Sequence, residues 1–199
     1  MNRLEDVFRK IARFLDDRNQ PWALIGGLAV SVRTEPRFTR DIDLAVTVSD
    51  DRSAEKLVYD VQAEGFHVLA TVEQDATHRL ATARMAPCPN HSSGLMLDLL
   101  FASSGIEAEI CAEAEPLRVF PAWSVPVARI YHLIALKVLS RDDTRRPQDA
   151  GDLRQLLLAA SPADLERALH AVHLIEARGF HRSRNLVEAL QQAWRAFRV

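Results

Sequence analysis

Apolar side chains recur at Leu4, Val7, Phe8, Ile11, Phe14 and Leu15, a spacing of three and four residues that predicts an amphipathic helix over 3–18. Asn19-Gln20-Pro21 ends it. WALIGG is a short apolar run closed by Gly26 and Gly27, the pattern of a buried strand entering a tight turn, and LAVSVRT reads as a short helix leaving that turn. DIDLAVTV alternates and is rich in strand-forming residues. Asp50 and Ser53 are placed to cap a helix that runs to Glu64 and stops at Gly65. FHVLATVE and RLATARMA predict two further strands around a polar turn, QDATH. PCPNHSSG is a loop, and LMLDLLFAS is an apolar strand with one aspartate in its middle. Residues 105–115 are acidic and helix-compatible, and VFPAWSVPVA carries two prolines, which predicts an edge strand or an extended connector.

From Ala128 onward the period changes. IYHLIALKVLS, DAGDLRQLLLAA, PADLERALHAVHLIEARG and RNLVEALQQAWRAF all repeat at helical spacing. The expected architecture is therefore α+β, with a mixed α/β unit over residues 1–125 and a helical unit over residues 126–199. No internal repeat or low-complexity tract interrupts it.

Composition adds exclusions. The 199 residues are 48% apolar and 26% charged, ordinary for a globular chain with one sizeable core. No apolar run reaches the ~18 residues of a membrane span, and the charged N-terminal stretch does not read as a secretory signal. The two cysteines, Cys88 and Cys111, have no metal-ligand spacing, so a reducing, cytoplasmic setting is expected. The histidines show no convincing ligand spacing either. A net charge of −2 lacks the basic excess of a protein that wraps nucleic acid. Any such contact falls to the local arginines: Arg141, Arg145, Arg146 and Arg154, then Arg178, Arg182, Arg184, Arg195 and Arg198.

The candidate chemistry lies in GGLAVSVRTEPRFTRDID. In a strand, Asp41 and Asp43 point to one face while Ile42 and Leu44 face the core. Two carboxylates so close repel unless a cation lies between them, and Mg²⁺ takes carboxylate and phosphate oxygens together. The alternative is a solvated turn with a capping aspartate. Gly26 and Gly27 sit between strand and helix, where backbone N–H groups favour phosphate and the missing Cβ atoms allow close approach. The alternative there is a plain tight turn. Asp98, among apolar neighbours in LMLDLL, needs a cation or strong hydrogen bonds. If its strand lies beside that of Asp41 and Asp43, three carboxylates converge in a site suited to phosphoryl transfer. If not, a buried arginine or lysine is its partner.

These motifs resemble the nucleotidyltransferase superfamily related to DNA polymerase β. GGLAVSVRTEPRFTRDIDLAV followed by ALKVLSRDDTRRPQDAGDLRQLL is similar to the AbiEii/AbiGii toxin family of bacterial toxin–antitoxin systems. The resemblance runs from Trp22 to about Leu158. It implies a polymerase β-like mixed sheet with flanking helices, followed by a C-terminal helical bundle. It implies transfer of a nucleoside monophosphate from an NTP to an acceptor hydroxyl, with pyrophosphate released. By the same resemblance Gly26 and Gly27 hold the triphosphate, Asp41 and Asp43 ligate Mg²⁺, and Asp98 is the third carboxylate, helping to deprotonate the acceptor. Lys137 reaches the nucleotide phosphates; its alternative is a lysine snorkelling on an amphipathic helix. Asp152 and Asp149 either position Lys137 or the acceptor, or cap and salt-bridge their own helix. Thr39 would hydrogen-bond near the metal, and Arg37 would meet a phosphate or solvent. The implied partners are an RNA such as a tRNA 3′ end and a cognate antitoxin, with no membrane. Two rival readings remain: the same chemistry on an aminoglycoside-like small molecule or a protein hydroxyl, and an inactive nucleotide-binding module.

Overall fold

The computed structural model describes residues 3–88, 94–121, 123–141 and 147–197. Among these residues eight helices and seven strands follow one another: α1 (Arg3–Asp16), β1 (Trp22–Ile25), α2 (Gly26–Arg33), β2 (Asp41–Val46), α3 (Asp51–Ala63), β3 (Phe66–Glu73), β4 (Leu80–Pro87), β5 (Met96–Leu100), α4 (Glu107–Ala112), β6 (Glu115–Phe120), β7 (Trp123–Val127), α5 (Ile130–Ser140), α6 (Pro147–Ala159), α7 (Pro162–Ala177) and α8 (Leu186–Phe197). Elements expected from apolar spacing are present, and the local signals work as expected. The Asp50 carboxylate accepts from the Ser53 N–H at 2.7 Å and caps α3, and Ser161 and Asp164 form a reciprocal capping box on α7. The centre of the PCPNHSSG loop, 89–93, lies outside the described residues.

One mixed sheet carries all seven strands in the order β3-β4-β5-β2-β1-β7-β6. β1 and β2 form an antiparallel pair, whereas β2 and β5 run parallel, joined by a crossover through α3, β3 and β4. That crossover brings two strands more than 50 residues apart into register, with Asp43 facing Asp98 and Leu44 facing Leu99. The fold class is α+β, as expected.

The proline-bearing stretch departs from expectation. It forms a hairpin, β6–β7, in which Pro116 faces Pro126, and β7 lies inside the sheet while β6 takes the edge. A proline cannot donate to a ladder. Accordingly, the β7 pairing to β1 narrows to Leu24 opposite Val127. Trp123 on β7 and Phe120 on β6 stack, and Phe8 of α1 meets both, together with Trp22, edge to face. Aromatic packing thus closes this end of the sheet where backbone pairing is thin.

In the helical part, α5 packs against α2, α6, α7 and α8. Its residues Tyr131–Ile134 are buried without a polar face, so the helix is central rather than amphipathic. The apolar core is a single cluster fed by both the sheet and these helices. Among the described residues no helix is long and apolar enough to cross a membrane.

Candidate active site

β2 leaves the loop at Asp41, and alternation does the rest. Ile42 and Leu44 are fully buried, Asp41 is exposed, and Asp43 is half-buried on the face opposite Ile42. The N–H of Asp41 donates to Thr39 Oγ1 at 3.3 Å, so Thr39 shapes the backbone that presents the carboxylate pair. β5 sets Asp98, 6% exposed, directly beside Asp43.

Such neighbours repel. Burial first, then the charges of Asp98 and Asp41, push the Asp43 carboxyl up to about 7, against the pull of Lys137 and Arg84. A site that raises a carboxyl this far in the absence of a cation has the donor chemistry to take one. Yet among the described residues no group of three or more His, Cys, Asp or Glu side chains converges at metal-binding geometry. Asp98 is instead engaged by Arg84. From β4, opposite Asp98 in the antiparallel register, its Nε donates to Oδ1 at 2.8 Å and its Nη2 to Oδ2 at 2.6 Å. Asp98 therefore lies beside Asp43, as one reading of the sequence required, and takes an arginine as partner, as the other did. Asp41, Asp43 and Asp98 bring the type of oxygen donor that Mg²⁺ takes to neighbouring positions on β2 and β5, with Asp98 engaged by Arg84.

The two glycines take on a specific meaning here. Gly26 has φ +65°, and a Cβ there would overlap the Asp43 carboxylate. A Cβ on Gly27 would overlap the Arg37 guanidinium. Each glycine makes room for a charged side chain lying on the turn, Gly26 partly exposed and Gly27 buried. The N-cap of α2 is Ile25, which offers no side-chain cap. Ile25 thus leaves the first turn of α2 without a side-chain cap beside this charge cluster. An added methyl at position 26 meets both steric overlap and a left-handed backbone, so Gly26→Ala is expected to destabilise by about 1–3 kcal/mol. It should also displace Asp43. Urea denaturation alongside nucleotide binding checks this, and unchanged values in both would contradict it.

Arg37 lies on the turn because Asp152 holds it there. Across 115 residues of chain, Arg37 Nε and Nη2 donate to the two Asp152 oxygens at 2.7 and 2.8 Å. Lys137, buried on α5, donates to Asp149 Oδ1 at 2.6 Å and reaches Asp152 Oδ2 at 2.8 Å. Ser140 Oγ completes Asp149 at 3.2 Å. Two cations and two carboxylates make a neutral cluster. Burial works against the charge of Asp152, but the hydrogen bonds from Arg37 and Lys137 outweigh it and hold this carboxyl below the usual range. Those bonds also raise the Arg37 guanidinium. Lys137 is thus neither a snorkelling surface lysine nor directed at open space. It is tied to the Asp-x-x-Asp pair of α6 and stands close enough to Asp43 to act on its charge.

Three of the C-terminal arginines, Arg178, Arg182 and Arg184, are bonded within the molecule. Arg178 pairs with Glu109 at 2.6 Å and binds the Gly105 carbonyl. Arg184 caps the end of α5 through the carbonyls of Leu139 and Arg141 at 3.0 and 3.1 Å. Arg182 donates to Ser103. Arg145, Arg146 and Arg198 lie outside the described residues. His132, buried on α5, has no partner for Nδ1 and is pushed down to about 4, chiefly by burial. It is neutral near pH 7. Sequence reasoning missed Arg84 altogether. Its only signal was an arginine inside the small and apolar run LATARMA.

No curated protein matches the chain. Among solved structures, an antigenic nucleotidyltransferase-like protein from Paracoccidioides brasiliensis superposes at a TM-score of 0.56, with 20% identity over 94% of this chain and 92% of the other. The antibiotic-resistance factor ANT(2″)-Ia follows at 0.49 and 19%, covering 97% and 90%. The lincomycin-bound lincosamide antibiotic adenylyltransferase LnuA reaches 0.45 and 15%, covering 78% and 97%. Residues 11–199 match the family described as nucleotidyl transferase AbiEii toxin, type IV TA system. With that match spanning nearly the whole chain, over a mixed sheet that sets Asp43 beside Asp98, the protein belongs to the AbiEii family and is a nucleotidyltransferase.

Proposed function

We propose that the chain is a Mg²⁺-dependent enzyme that moves a nucleoside monophosphate from an NTP to the hydroxyl of an RNA end, such as a tRNA 3′ terminus. It would act as the toxin of a two-component system with a cognate antitoxin. The observation that supports this most is the register of β2 and β5, which sets Asp43 and Asp98 side by side above the Gly26 turn. Asp41 and Asp43, with Asp98, would hold the cation. Bound there, it would neutralise phosphate charge and favour attack at the α-phosphorus.

The remaining work belongs to the chain's own groups. The first-turn N–H groups of α2 offer donors to the triphosphate. Arg37, held flat on the Gly27 turn by Asp152, adds a guanidinium at the same place. Lys137 contributes through charge and by fixing Asp152. Asp98, once released from Arg84, would take the acceptor proton on an Oδ. Orientation and charge complementarity dominate such a site, because there is little covalent chemistry for the protein to do.

A second reading has a specific observation behind it. Arg178, Arg182 and Arg184 are bonded within the fold, and the net charge is −2, so the basic surface left for RNA is reduced. That favours a small-molecule or protein hydroxyl as acceptor. Incubation with α-³²P-labelled NTPs and total RNA, cell protein or an aminoglycoside separates the two. Label is expected in RNA from wild type and absent with Asp43→Ala, together with growth arrest on expression of wild type alone. Label confined to protein or to the small molecule would replace the RNA reading, and label in no pool would remove the transferase assignment from this site.

A further inference from the structure

The fork between Arg84 and Asp98 is lopsided. The Asp98 side chain is 8% exposed and sits on a strand flanked on both sides, whereas that of Arg84 is 45% exposed. If the pair opens, the carboxylate has nowhere to go. The guanidinium, on a flexible stem, can turn into water and recover its hydration there. Asp43 stands on the other side of Asp98, so the buried carboxylate lies between a repelling neighbour and an attracting one. Arg84 is also drawn by Asp41 and Asp43, after Asp98 itself. It therefore supplies the positive charge that the three carboxylates lack among themselves.

We propose that Arg84 is a displaceable counter-ion, which a divalent cation must lift from Asp98 before that carboxylate joins Asp41 and Asp43. The proposal rests on the metal reading above and goes beyond it by naming the competitor inside the chain. One positive group leaves as another arrives, so the buried charge of Asp98 stays compensated throughout. The arrangement makes the resting site a weak cation binder. A ligand that adds its own phosphate oxygens to the cation, as an NTP does, shifts the exchange toward the open fork.

The test uses the full chain and Mn²⁺, with free Mn²⁺ read by electron paramagnetic resonance. Wild type, Arg84→Gln, Arg84→Lys and Asp43→Ala are compared without nucleotide. Removing the competitor is expected to tighten Mn²⁺ binding by about tenfold in Arg84→Gln, with Arg84→Lys in between because it keeps the charge and loses the fork. In wild type, adding Mg²⁺ is expected to move the Arg84 Nε–H resonance toward that of a solvated arginine. Equal or weaker Mn²⁺ binding in Arg84→Gln would overturn the proposal. So would an Arg84 resonance that stays put while the Asp43 amide responds to Mg²⁺. The resonance decides the matter even if Arg84→Gln fails to fold. If wild type binds no Mn²⁺ in a manner that Asp43→Ala abolishes, the metal reading itself falls, and the counter-ion role with it.

Discussion

Replacing Asp43 with asparagine is expected to raise stability near pH 7.5 in the absence of divalent cations while abolishing transfer. Burial and the charges of Asp98 and Asp41 raise this carboxyl from 3.8 to about 7. In the unfolded chain the same group ionises near pH 4. Its contribution is therefore fully present below pH 4 and is lost as pH climbs through 7, because the unfolded state gives up the proton first. At pH 7.5 the ionised form costs the fold roughly 2–4 kcal/mol. Asparagine keeps the shape and removes the charge. For a chain of this size that is a gain of several degrees in Tm, at about 2–4 °C per kcal/mol. The wild-type decline between pH 5 and 7.5 should flatten in the variant. Mg²⁺ should restore wild type and leave Asp43→Asn unchanged. Turnover should fall by at least about 10²–10³-fold, the scale on which removal of one charge-stabilising group acts. Thermal scans at several pH values, with EDTA and with Mg²⁺, check the first half, and labelled-NTP turnover checks the second. A variant less stable than wild type at pH 7.5 would show that Asp43 is compensated by something other than a cation.

Asp152→Ala carries the second large effect, of opposite sign. Asp152 is 2% exposed and accepts from Arg37 twice and from Lys137. Truncation leaves Lys137 with Asp149 and leaves Arg37 without its hydrogen-bonded carboxylate. Breaking a buried pair by deleting one partner costs about 3–5 kcal/mol, far more than the pair itself contributes. The loss should therefore be smaller in the double variant Asp152→Ala/Arg37→Ala than the sum of the single ones. Urea unfolding of the four species measures this. Additivity within about 0.5 kcal/mol would show that the two side chains do not depend on each other. Function should fall in step, as a rise in KM for NTP. Because the Asp152 carboxyl is held low, its contribution persists above pH 4 and disappears only as the solution turns strongly acidic, the reverse of Asp43.

These opposed effects come from aspartates that the sequence presents in similar terms. Asp43 and Asp152 both lie in charged motifs with a second aspartate nearby. One is crowded by carboxylates, and the other is saturated by cations. The difference is made by which elements pack beside them. The sequence leaves Asp98 between a cation site and a buried arginine; the tertiary structure gives it an arginine, Arg84, whose own side chain is 45% exposed. Lys137 was placed between nucleotide phosphate and solvent. It is buried and bound to Asp149 and Asp152, the pair the sequence offered to position it, because α6 folds back against α5.

By itself the amino-acid sequence determined the local elements and the chemical inventory. Alternation in DIDLAV put two carboxylates on one face of a strand. Helical spacing defined α1 and the four C-terminal helices, and capping residues set the start of α3 and α7. Such features depend on neighbours a few residues apart, so periodicity and residue type suffice to read them. Strand order, register and charge pairing belonged to the tertiary structure. The placement of β5 against β2, the presence of β7 inside the sheet despite its proline, the Arg84 fork and the 115-residue reach from Arg37 to Asp152 depend on which surfaces bury each other. A guanidinium is attracted to any carboxylate. Only packing decides which one it can reach.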